Sequence, residues 1–145
     1  MGTEAGAVVR EVFAAVAARD GAALERLLDD TAELHTPGTA RRAGRDGPYR
    51  GASGVQQYLA DLDELWARFV LEPQELRVAN HGVVAFGRVA GELRDGTPVA
   101  QPVIWVFKLR DGRVRSVRVA ETAAEAQALA ARAPAPASPP PDAAG

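Results

Sequence analysis

The sequence predicts an α+β domain in which one strongly curved antiparallel sheet wraps around three N-terminal helical segments. Three observations carry that reading. Apolar residues in the first half recur at helical spacing, the period changes to two from about Glu75 onward, and the later segments are joined by short turns such as "RDGTP" and "RDGR". A sheet with one apolar face and helices with one apolar stripe bury both by packing together.

In chain order, "AVVREVFAAVAARDG" puts Val8, Val9, Val12, Phe13 and Val16 on one stripe, with Gly21 as the expected stop. A shorter helix follows in "AALERLL", where Leu24, Leu27 and Leu28 face one way. "TAELHT" alternates like a brief strand, and Pro37-Gly38 ends it. A polar loop, "GTARRAGRDGPYRGA", leads to Ser53 and Gln56, which have capping-box spacing. Val55, Tyr58, Leu59, Leu62, Trp66 and Phe69 then form a long stripe, and Pro73 either closes that helix or opens the next strand. Strands are expected near 74–80, 83–94, 99–110 and 113–121. The run "PVIWVF" is apolar on both faces, which suits a central strand covered on two sides. The domain is expected over residues 1–122, a weak alanine-rich helix over 123–132, and a disordered Pro/Ala-rich tail over 133–145.

A chain of 145 residues suits one such domain. The formal charge of −2 argues against nucleic acid or anionic lipid as a general partner. With no cysteine, thiolate nucleophiles, disulfides and sulfur-ligated metals are excluded. The two histidines lie in separate segments, so neither a metal site nor a cofactor is expected. No apolar run is long enough to span a bilayer and no secretory pattern opens the chain, so a cytoplasmic location without membrane association is the expectation.

The segments "ARDGAALERLL", "LHTPG", "YRGASGVQQYL" and "PVIWVFKLRDGRV" together resemble the SnoaL-like and ketosteroid-isomerase-like branch of the nuclear transport factor 2-like superfamily, over roughly residues 6–121. The resemblance implies a cone-shaped roll enclosing a deep, mostly apolar pocket, and a homodimer formed through the outer sheet face. It also offers a chemical test. The isomerase mechanism needs a carboxylate base, a tyrosine and a protonated aspartic acid. The matching positions here hold Thr36, Val12 (with Phe13 beside it) and Trp105, so ketosteroid isomerisation is excluded. A limonene-epoxide-hydrolase-like Asp–Arg–Asp set fails as well, because no aspartate stands two residues after Arg88.

Several side chains remain candidates. Strict alternation puts Ala32, Leu34 and Thr36 on one face and Glu33 and His35 on the other; a bulge would instead turn His35 inward as a base working near neutral pH. Arg88 lies in an otherwise apolar or small strand and needs either a carboxylate such as Glu121 or Glu92, or a ligand anion. Trp105 shares a face with Gln101 and Phe107. That face suits either a flat ligand wall with a polar rim or plain core packing. Glu121 ends the last strand as a pocket acid or base, or as a solvated strand end. The resemblance places Tyr49 and the arginines of "ARRAGRDGPYR" by the pocket mouth, where they either gate entry or attract an acidic ligand, or form a solvated charge run; Thr36, Tyr58 and Phe13 complete the expected ligand-binding set. The chain therefore reads as a binder of a small apolar or polycyclic molecule. Two alternatives stand beside that reading: a cofactor-independent isomerase, cyclase or hydrolase using His35 or Glu121, and a dimerisation module without a ligand.

Overall fold

The computed structural model describes residues 2–132, and the tail expected over 133–145 lies outside the described residues. Helix α1 (Gly2–Ala18) turns Val9, Val12, Phe13 and Val16 inward, as its stripe requires. It ends at Ala18, and the residue that stops it is Arg19 rather than Gly21. Arg19 adopts the left-handed conformation, and Asp20 then caps α2 (Gly21–Leu27) by accepting a 3.0 Å hydrogen bond from the Ala23 amide.

Strand β1 (Leu28–His35) takes in Leu28, which the helical spacing had assigned to the preceding helix. Pro37 then opens a short helix, α3 (Pro37–Arg42), where a loop was expected. Its ring suits the first helical position, which needs no amide donor, and Thr39 and Ala40 are buried. After β2 (Tyr49–Arg50), helix α4 (Gly51–Leu65) starts two residues ahead of Ser53. The expected capping box therefore does not form, and the cap residue is Arg50, without a side-chain cap bond.

The larger correction comes at the end of α4. The helix stops at Leu65, and β3 (Trp66–Val78) starts at once, so Trp66 and Phe69 belong to a strand. Trp, Phe and Val favour the pleated surface over a helix. Pro73 is tolerated because β3 is the sheet edge and bulges between Pro73 and Glu75.

The remaining strands, β4 (Gly82–Leu93), β5 (Pro98–Arg110) and β6 (Arg113–Ala120), form the expected antiparallel meander. The sheet order is β2-β1-β6-β5-β4-β3, with β1 parallel to β6. Its curvature has a local origin. Gly87 and Gly91 on β4 lie against the two bulged stretches of β3, and a Cβ on either would strike the carbonyl oxygen of Glu72 or Arg68. Glycine lets the strands approach there and bend.

Val9, Leu24, Leu62, Val83 and Phe107 fill the core between the helices and the concave face. A second cluster lies on the convex face. There α5 (Ala123–Ala131), capped by Thr122 accepting a 3.1 Å bond from the Glu125 amide, buries Ala126 and Ala130 with Val84, Val106 and Ala120, beside Phe86 and Ile104. The outward side of the doubly apolar strand is thus covered by the chain's own helix. Among the described residues the one exposed large hydrophobic is Val78, and no helix is long and apolar enough to cross a membrane.

Candidate functional site

The turn from β1 into α3 places Thr36 at the edge of the concave face. Across from it α4 supplies Tyr58, β3 supplies Trp66, Phe69 and Leu71, and β5 supplies Val103 and Trp105. These residues enclose a chamber of about 140 Å³. The exposed residues on its wall, Pro37, Gly38, Arg42 and Gln101, mark the mouth. Inward it narrows to about 40 Å³ between Val12, Phe13, Leu24 and Phe107, with Thr36, Tyr58, Leu71 and Trp105 lining both parts. An apolar cavity of roughly 150 Å³ holds a benzene molecule. The outer part therefore has the volume of one ring, and the inner part that of a water or two. Phe13 forms the stop, packing edge-on against Trp105 at 5.0 Å and Phe107 at 5.4 Å.

The wall contains no aspartate or glutamate. Its polar side chains are Thr36, Thr39, Arg42, Tyr58, Trp66 and Gln101. Two of them are unsatisfied: Thr36 Oγ1 and Trp66 Nε1 are buried without a hydrogen-bond partner. The Arg42 guanidinium lies 5.7 Å from the centre of the Trp66 ring, and its Nη1 donates to the Gly38 carbonyl at 2.9 Å. Burial pushes the Tyr58 phenol up, against the pull of the Arg19 charge, so it stays neutral at neutral pH.

Behind Tyr58 lies a supporting network. Tyr49 packs edge-on to Tyr58 at 5.2 Å, and its hydroxyl donates to Asp61 Oδ2 at 2.6 Å. Asp61 also accepts from Arg45 Nε at 2.6 Å and Nη2 at 3.1 Å. The Arg45 hydrogen bonds, aided by Tyr49 and opposed by burial, hold the Asp61 carboxyl below the usual carboxylate range. The loop from Ala43 to Pro48 is thereby tied to α4.

Of the candidates, Thr36, Tyr58, Phe13, Gln101, Trp105 and Phe107 all lie on this wall, Gln101 at the mouth and the two phenylalanines at the inner end. The others are elsewhere. Tyr49 is buried in the Asp61 network instead of lining the chamber. His35 points to the opposite face, its Nε2 3.0 Å from Glu33 Oε1 and 3.4 Å from Arg118 Nη2. The irregularity in β1 falls between Leu28 and Glu33, so alternation is intact through His35 and the inward turn does not occur. Arg88 is exposed and pairs with Glu72 at 3.5 Å across the β3–β4 ladder, not with Glu92 or Glu121. Glu121 stands beyond β6 in solvent, its amide donating to Glu125 Oε2 at 3.3 Å. Trp66, expected as a core residue of the α4 stripe, lies on the wall, and Arg42 is the one of the loop arginines expected near the mouth that reaches this chamber. The β-forming run that starts at Trp66 was the available signal for the first, and helix α3 positions the second.

Comparison with known proteins places this architecture. Among curated proteins none matches the chain. Among solved structures, a nuclear transport factor 2-like protein from Burkholderia pseudomallei superposes with a TM-score of 0.72 at 20% identity, over 84% of this chain and 93% of that one. TerC, co-crystallized with polyporic acid, gives 0.70 at 18% identity over 84% and 94%. A Catenulispora acidiphila protein with a ketosteroid isomerase-like fold, in complex with trimethylamine, gives 0.66 at 16% identity over 83% and 89%. At these identities the likeness is one of fold. The SnoaL-like domain family itself matches residues 9–117, most of the chain, and this protein belongs to that family.

Proposed function

We propose that this SnoaL-like domain binds a small, ring-sized apolar molecule in the chamber between Thr36, Tyr58, Trp66 and Trp105. The observation that carries the reading is an aromatic-walled space of about 140 Å³, open beside α3 and stopped by Phe13. Binding is favoured over acid–base catalysis because no carboxylate lines the wall and both proposed acid–base groups, His35 and Glu121, lie outside it. The structures of TerC with polyporic acid and of the Catenulispora protein with trimethylamine are consistent with small-molecule handling on this fold.

Both tryptophans of the chain line the chamber, so intrinsic emission reports on it without background. Titration with toluene should shift and change that emission saturably. Val103→Phe, which fills the space from β5, should abolish the response, and His35→Ala should leave it unchanged. An emission indifferent to toluene in the unmodified protein would reject the proposal, as would an undiminished response in Val103→Phe.

A further inference from the structure

We infer that the chamber selects ligands bearing an anionic oxygen group, with a ring-bearing carboxylate as the simplest case, and that Arg42 holds that group at the mouth. The inference rests on the binding function proposed above and adds the chemical class of the ligand.

The wall is one-sided in its polar chemistry. It carries one cation, Arg42, and no anion. Arg42 forms no ion pair among the described residues; Asp95, in the turn between β4 and β5, feels its charge without pairing with it. The guanidinium is positioned by the Gly38 carbonyl and by the Trp66 face, which leaves its remaining N–H groups available. A planar fork of donors matches a carboxylate in geometry as well as charge.

One neutral group points the same way. An indole N–H can only donate, and Trp66 Nε1 is buried with nothing to donate to. Thr36 Oγ1 is equally unpaired. A buried donor without an acceptor is costly, so the Trp66 N–H favours a guest with an acceptor oxygen over a hydrocarbon, whereas the Thr36 hydroxyl, which both donates and accepts, does not discriminate. The aromatic walls would ordinarily attract a cation as well. Here the Trp66 face already carries Arg42, and a ligand cation would meet that charge at the mouth with no carboxylate on the wall beside it; Asp95 lies outside the wall.

Three probes with one ring and different charge test this: toluene, benzoate and benzamidinium. In the unmodified protein, tryptophan emission should report benzoate binding at least as tightly as toluene, and benzamidinium far more weakly. Arg42→Gln should lower the benzoate-to-toluene affinity ratio by about tenfold or more, as loss of a charge-assisted pair requires. Arg41→Gln removes the same charge one residue earlier, where the side chain lines an adjoining outer groove and not the chamber, and should preserve the ratio. Benzamidinium binding as well as benzoate, a ratio unmoved by Arg42→Gln, or an equal fall in Arg41→Gln would each overturn the inference. Toluene binding more tightly than benzoate would overturn this inference alone. Silence toward both would remove the chamber reading together with it.

Discussion

Replacing Asp61 by asparagine tests how the loop beside the chamber is held. The Asp61 side chain is 9% exposed and accepts three hydrogen bonds, two from Arg45 and one from Tyr49. Asparagine offers one acceptor oxygen and turns an amide N–H₂ toward donors. A hydrogen bond to a charged group contributes about 1.5–3 kcal/mol. The Arg45 side chain is 35% exposed and recovers part of its hydration, so we take about 2 kcal/mol for Asp61→Asn. For a domain of this size that lowers Tm by about 4–8 °C. The pH dependence has a definite sign. The folded state holds the Asp61 carboxyl below its unfolded value. Its contribution is therefore complete above the unfolded value of about 3.9 and is lost as pH falls through the folded value. Thermal melts followed by circular dichroism should show a constant gap between the two proteins from neutral pH to about pH 5, and a narrowing gap below about pH 4. Tyr49→Phe leaves the Arg45 pair intact and should cost about 1 kcal/mol, with the double variant costing less than the sum. Equal Tm values at neutral pH, or a gap unchanged on acidification, would refute the assignment of this network as the tie between loop and α4.

Two further outcomes follow from the sheet. Gly87→Ala should destabilise by about 2 kcal/mol in denaturant melts, because its methyl group meets the Glu72 carbonyl, whereas Gly47→Ala, with open space around it, should be nearly neutral; equal stability would contradict the curvature argument. Truncation after Glu121 uncovers Val84, Phe86, Ile104 and Val106, and should make the chain self-associate more strongly in sedimentation than the full chain; indistinguishable behaviour would mean that α5 does not shield this face.

Much of the architecture could be read before any coordinates. The meander was legible because alternation and Asp-Gly turns are local signals, and each of its strands ends within a residue or two of its expected place. Trp105, Phe107 and Gln101 share a wall for the same reason: once β5 is a strand, parity decides the face. The failures came where tertiary context overrides local pattern. Trp66 and Phe69 fit the helical stripe of α4 by spacing alone, and only their pairing with Leu93 and Gly91 on β4 makes them strand residues. Arg88 was expected in the interior because its strand neighbours are apolar or small. Their outward members face α5 or solvent, and that is a property of the assembled sheet. The role of Arg42 depends on α3, a helix of six residues that buries its own Thr39 and Ala40 and packs against α4. The Arg45–Asp61–Tyr49 network likewise joins residues that nothing in the linear pattern connects.

The chamber is the element on which binding, selectivity and the roles of Trp66 and Trp105 all depend. A crystal structure of the full chain grown with toluene tests it most directly. Electron density for one ring is expected between Tyr58, Trp66 and Trp105, with Val103 beneath it and Phe13 closing the inner end. A chamber filled by the protein's own side chains, or toluene bound elsewhere with this space empty, would contradict the account.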